Sequence, residues 1–139
     1  MRTFTILGLA ACIAMGVAAN PVEADSAHPD GAKATTLMRQ SLADLPGKEG
    51  EMTLVEFAPG YIGQPHRHAA HVFVYVLEGS VEMQVKGGQP VTLTSGDVFY
   101  EKPTDVHAVG RNLSKTDPAK LLVFFVKDRN APLLIPVQR

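Results

Sequence analysis

Val72-Phe73-Val74-Tyr75-Val76-Leu77-Glu78-Gly79-Ser80-Val81-Glu82-Met83-Gln84-Val85 is the stretch whose reading decides the fold. Its opening run is dominated by β-branched and aromatic residues, which fit a pleated, packed surface, so 72–77 reads as a buried strand. Gly79-Ser80 reads as a tight turn, and 81–85 returns as the partner of a hairpin. Side chains alternate along a strand, so Val72, Val74 and Val76 share one face, taken here as the inner one. Immediately before the hairpin stands His66-Arg67-His68-Ala69-Ala70-His71, which holds three of the chain's five histidines. Neutral imidazole is the commonest metal ligand in proteins. In extended chain, residues two apart point the same way, so His66 and His68 can chelate one ion while Arg67 points outward. A third histidine, His107, follows a Gly96-Asp97 turn and a Pro103-Thr104-Asp105 turn, on what reads as another short strand. A lone histidine is more often a satisfied polar residue, but three brought together by a sheet make a candidate site for one metal.

Outward from that centre the pattern stays extended. Residues 51–57 alternate, with Met52, Leu54 and Glu56 on one side and Thr53, Val55 and Phe57 on the other. Pro59-Gly60 ends that run, Gly87-Gly88 and Ser95-Gly96-Asp97 supply turns, and 91–94, 98–101, 106–110 and 119–127 follow as strands. Residues 34–44 fit either a short helix face or a strand at a sheet edge, and strand is preferred. Residues 132–137 form a last extended, apolar piece. Many short strands punctuated by Gly and Pro predict an all-β sandwich or barrel. The unbroken apolar runs 72–77 and 121–126 imply burial on both faces, the inner face lining a barrel.

The N-terminus reads differently. Arg2 precedes an uncharged, small-residue run from Phe4 to Ala19, and small residues recur at the −3 and −1 positions before Ala19 and Ala24. This is the pattern of a cleaved signal peptide over 1–24, with cleavage after Ala19 or Ala24. The run is short for a membrane span of about 20 residues. Leu9-Ala10-Ala11-Cys12 resembles a lipoprotein cleavage box, but the apolar run continues past Cys12, so lipid anchoring there is the lesser expectation. Cleavage removes the only cysteine, which suits a periplasmic or secreted protein that relies on its core. Residues 25–33 are polar and read as a flexible arm, leaving 34–139 as one domain. The formal net charge is −1 and no Lys/Arg cluster stands out, so no nucleic-acid footprint is expected. No phosphate loop, nucleotide fingerprint or nucleophile triad is present.

Taken together, these motifs make the chain resemble a cupin over residues 51–127. The first cupin motif is Gly, five residues, His-x-His, three or four residues, Glu, six residues, Gly. Here Gly60, His66, His68 and Gly79 fall in place. In the second motif Gly96 opens and His107 takes the histidine position. The chain departs from the pattern at Val72, where the motif's glutamate would stand, and at Lys102 and Thr104, where it has proline and glycine; Asn112 comes one place late. The resemblance implies a small jelly-roll β-barrel with one metal site in its mouth.

Valine cannot bind metal, so two ligand sets follow. In the first, His66, His68 and His107 form a neutral three-histidine set with open positions; in the second, a β-bulge turns His71 inward as a fourth ligand. Strand parity favours the first, because an inward Val72 puts His71 outside. The metal is one divalent transition ion, Fe, Mn, Zn, Ni or Cu, since imidazole suits all of them. Gln84, Tyr100 and Glu101, with Gln64, are the polar candidates for catalysis, although adjacent Tyr100 and Glu101 cannot both face in; Tyr61 reads as a rim residue. The favoured function is an exported Fe(II) dioxygenase-like oxidoreductase acting on a small organic ligand. The alternatives are a non-catalytic small-molecule or metal binder and a metal-assisted isomerase or lyase. Apolar segments at 34–44 and 132–137 lie outside the motif core, and a homodimer is expected from them.

Overall fold

The structure is a computed structural model and describes residues 25–28 and 31–137. The signal peptide expected over 1–24 lies outside the described residues. Eleven strands follow in order: β1 (Asp25–His28), β2 (Ala32–Ser41), β3 (Lys48–Phe57), β4 (His66–Arg67), β5 (Ala70–Glu78), β6 (Ser80–Val85), β7 (Val91–Thr94), β8 (Val98–Glu101), β9 (His107–Asn112), β10 (Ala119–Asp128) and β11 (Ile135–Pro136). They build two antiparallel sheets, ordered β1-β2-β3-β10-β5-β8 and β11-β4-β9-β6-β7. The expected all-β jelly roll is therefore what forms.

β5 and β10 lie side by side in the middle of the larger sheet, with Val72 opposite Phe125 and Val74 opposite Val123. Their inward side chains make the core: Val72, Val74, Val76, Leu121, Val123 and Phe125 are all buried. Burying such a side chain fully contributes roughly 1.5–3 kcal/mol, so this row carries much of the fold's stability. Gly79 turns β5 into β6 at φ +83, and a Cβ there would come within 2.9 Å of Ala119. Only glycine meets both demands.

Three expectations change. First, β5 is not buried on both faces. Phe73 and Tyr75 are 48% and 45% exposed, while their inward neighbours are closed off, because no second layer among the described residues covers the outer face. Second, the arm expected over 25–33 contains structure. β1 pairs with the start of β2, Asp25 opposite Thr35, and β2 begins at Ala32. An open strand edge offers a free row of backbone donors and acceptors, and β1 takes it. Third, the inner face of β3 carries charge as well as Thr53 and Phe57. Glu49 and Glu51 are buried there with Lys127 of β10. Lys127 Nζ donates to Glu49 and to the Ala131 carbonyl. Arg39 and Thr36 of β2 both donate to Glu51.

The 132–137 piece packs on its own barrel. β11 pairs with β4, Ile135 opposite Arg67 and Pro136 opposite His66, and Leu133 packs against the core.

Candidate metal centre

The two halves of the site come from neighbouring strands of the smaller sheet. β4 places His66 directly opposite His107 of β9, and His68 follows in the link to β5. Ring nitrogens of His66, His68 and His107 lie within 4.8 Å of one another. The His-x-His parity therefore works as expected, and the exposed Arg67 between them points away.

Hydrogen bonds set the direction of two rings. His66 Nδ1 donates to the Gln64 carbonyl at 2.9 Å, and His68 Nδ1 donates to the Leu133 carbonyl. A carbonyl oxygen only accepts, so both protons sit on Nδ1 and the neutral rings present Nε2 lone pairs. Those two Nε2 atoms stand 3.2 Å apart. Two lone pairs facing each other at that distance repel, unless a cation lies between them. Nε2 of the buried His107 has no hydrogen-bond partner among the described residues. A buried, unpartnered polar nitrogen is costly, and a metal ion would satisfy it. The donor set thus fits a divalent ion. Donors at about 2.0–2.2 Å from one ion stand roughly 3–4 Å apart, which matches the His66–His68 spacing.

The rings are also held in the form that binds metal. Burial pushes His68 down to about 4, only partly opposed by its bond to Leu133, with His66 adding to the shift. Burial, then the His66 and His68 charges, push His107 down to about 3. Both rings are neutral at pH 7. The third ring needs room as well. A Cβ at position 110 would come within 2.9 Å of His107 Cε1, so Gly110 is what lets that ring lie where it does.

Val72 faces the site, as its parity predicts, and Glu101 of β8 pairs directly across from it. Glu101 is buried and lines the same cavity. Its Oε1 is 3.7 Å from His107 Nδ1. Burial pushes the Glu101 carboxyl up to about 7, with Asp105 adding to the shift. With the histidine held far below neutrality, this contact is not an ion pair at pH 7.

The other candidates go elsewhere. Gln84 donates to the Gly88 carbonyl and does not line the cavity. Tyr100 lies on the outer face, and its hydroxyl bonds His71 Nδ1 at 2.6 Å. His71 is exposed, with no bulge at its position to turn it inward, so the fourth-ligand expectation fails by geometry. Gln64 contributes its carbonyl, which accepts from His66, and Tyr61 stacks on Phe57 at the cavity wall.

Behind the histidines lies a cavity of about 130 Å³ walled mainly by Val72, Val74, Met83, Leu121, Val123 and Phe125. Drug-sized ligands occupy about 300–1,000 Å³, so this space suits a much smaller molecule. Thr53 adds a hydroxyl to this wall. Its hydroxyl is buried in the cavity wall and has no partner among the described residues. Two contributors escaped sequence reasoning, the Leu133 carbonyl and the Thr53 hydroxyl. The Thr53 side was legible from the alternation of β3; the Leu133 carbonyl carries no side-chain signal at all.

Comparison with known proteins follows the same lines. The family model described as Cupin domain matches residues 53–125. Pectin degradation protein KdgF of Dickeya dadantii (strain 3937) is 37% identical over 59 residues, which are 42% of this chain and 53% of that protein. The match thus spans about half the length of that relative. An RmlC-like cupin from Shewanella frigidimarina NCIMB 400 superposes with a TM-score of 0.61 at 23% identity, over 78% of this chain and 86% of that one. An oxalate oxidase gives 0.61 at 24% identity, over 79% and 57%. The polyketide cyclase RemF from Streptomyces resistomycificus gives 0.61 at 20% identity, over 85% and 81%. At these identities the three structures establish shared fold.

Proposed function

This chain belongs to the cupin family, and we propose that it is an exported, metal-dependent oxidoreductase acting on a small oxygen-bearing organic molecule. One divalent transition metal would sit on His66, His68 and His107. The observation that carries this reading is the convergence of the His66 and His68 Nε2 atoms with the unpartnered His107 Nε2 at the edge of an apolar cavity. When bound, a redox-active ion supplies the electron-transfer chemistry that none of these side chains has. The chain's own part is to orient and to exclude water. The Gln64 and Leu133 carbonyls fix two rings, the valine-rich wall keeps the site dry, and the Thr53 hydroxyl can donate to a polar group on the ligand. The test is oxygen uptake by tag-free protein loaded with Fe(II), over a panel of small carboxylates, diketones and hydroxy acids. Uptake above the level of free iron, lost in His107→Ala, is expected. Stoichiometric metal with no uptake across the panel would contradict an oxidase.

A second reading rests on Glu101, a buried carboxyl in the same cavity that can hold a proton near neutral pH. That suits a metal-assisted isomerase or lyase, in which a carboxyl moves a proton at carbon. Loss of substrate C–H signals in D2O without oxygen uptake would favour it.

The proposal includes a homodimer. Phe73, Tyr75, Val98 and Tyr100 are exposed together on the outer face of β5 and β8, and such patches mark association surfaces. Twofold pairs are the commonest soluble assembly. Light scattering at low micromolar concentration should give twice the chain mass, and Tyr75→Lys should halve it. A monomer mass for the unaltered protein would contradict the proposal.

A further inference from the structure

The link between β3 and β4 brings a hydroxyl to the histidine end of the cavity. Residues 61–63 lie antiparallel beside β9 and extend the smaller sheet. Asn112 N donates to the Tyr61 carbonyl at 3.0 Å, Ile62 bridges Arg111, and Gly63 N donates to the Gly110 carbonyl at 2.8 Å. Alternation along this segment sends Ile62 outward, where it is 64% exposed, and turns Tyr61 and Gly63 inward, where both line the cavity. Two glycines then decide what meets there. A Cβ at position 63 would stand 3.0 Å from the Tyr61 hydroxyl and 3.0 Å from the Gly110 carbonyl. A Cβ at position 110 would stand 2.9 Å from His107 Cε1 and 3.2 Å from its Nε2. The Tyr61 hydroxyl, Gly63, Gly110 and the Nε2 edge of His107 thus follow one another along the wall, across a seam of two residues that carry no side chain. The Tyr61 ring, stacked on Phe57 with centroids 4.5 Å apart, fixes the direction of the hydroxyl.

A hydroxyl in that position has a use. Three neutral histidines leave the charge of a divalent ion uncompensated, which favours an oxygen anion as the ligand. In an apolar cavity the lone pairs of that anion need donors, because an unmet polar group is costly there. The cavity holds about 130 Å³, so one small molecule reaches both the His107 edge and the Tyr61 hydroxyl. We propose that Tyr61 is a ligand-binding residue, whose hydroxyl donates to an oxygen of a small carboxylate held at the three-histidine centre. This rests on the three-histidine reading above and adds to it the donor that selects an oxygen anion. Gly63 and Gly110 are its counterparts in the backbone, since a side chain at either would part the hydroxyl from the His107 edge.

The experiment uses the full mature chain loaded with Co(II), with acetate as the probe and the visible d–d spectrum as the readout. Acetate should change the spectrum of the unaltered protein and saturate. In Tyr61→Phe, Co(II) affinity, read by competition with a chromophoric chelator, should stay the same while acetate binds about tenfold more weakly, the loss expected for one hydrogen bond to a charged acceptor. The ring and its stack on Phe57 are retained, so the thermal unfolding midpoint should hold. Equal acetate affinity in Tyr61→Phe would overturn the proposal, and so would a spectrum of the unaltered Co(II) protein that acetate leaves unchanged. Loss of Co(II) affinity together with acetate affinity would also overturn it, making Tyr61 a support of the histidines rather than a contact of the ligand. If the unaltered protein binds no Co(II), it is the three-histidine reading that falls, and this proposal with it, a result distinct from the others.

Discussion

Replacing any one of His66, His68 or His107 with alanine is expected to strip the protein of most of its metal. The three rings bind as a chelate: His66 and His68 present converging Nε2 atoms 3.2 Å apart, and His107 closes the set from β9. Removing one donor leaves an ion held by fewer contacts in a low-dielectric cavity, with an open position that apolar walls cannot fill. Each variant should retain the fold, because the β5–β10 core row is untouched. His107→Ala should show the largest loss, since that ring is the most buried of the three and stands opposite His66 across the β4–β9 pair. Metal content of the purified variants by elemental analysis is the readout. Full occupancy in two of the three single variants would contradict the chelate.

The second large effect is expected far from any ligand, at Lys127. Its side chain is 3% exposed and tied to Glu49 at 5% exposure, with Glu51 fully closed off 3.6 Å away. Lys127→Met would leave those carboxylates facing each other with Arg39, which is half exposed, as their remaining cation. Breaking a buried ion pair by removing one partner costs about 3–5 kcal/mol, a large part of the roughly 5–15 kcal/mol that holds a domain folded. The effect should reach the site as well. Lys127 also holds the Ala131 carbonyl, two residues before Leu133, whose own carbonyl orients His68. Urea unfolding of the metal-free protein should show the destabilisation, and Co(II) affinity should fall with it. Glu49→Gln combined with Lys127→Met should recover part of the loss. A midpoint unchanged in Lys127→Met would mean that the buried charges contribute nothing net.

These two predictions divide along what a sequence makes visible. The histidines were legible because the argument needed only strand parity. Alternation places His66 and His68 together, sends Arg67 and His71 out, and turns Val72, Val74 and Val76 in; the structure follows each of these. The exclusion of either Tyr100 or Glu101 from the interior was legible for the same reason, but which of them faces in depended on β8 pairing with β5, and that register is a long-range fact. The buried Glu49, Glu51 and Lys127 were not legible, because charged residues are ordinarily exposed and their mutual pairing joins strands 78 residues apart. The Leu133 carbonyl was invisible, since every residue but its position in space offers the same group. Burial of both faces of β5 was predicted from an apolar run, yet apolar residues on the outer side say only that something can cover them. Among the described residues nothing does, which is why that face becomes the proposed dimer contact.

The central claim is that His66, His68 and His107 hold one divalent metal ion. Its most direct test is a competition titration of the tag-free mature chain, stripped of metal and refilled with Co(II), followed through the visible spectrum. The account predicts saturation at one ion per chain and binding that weakens on acidification as the ligand rings take up protons. Saturation at zero, or an unaltered titration in a variant lacking all three histidines, would contradict it.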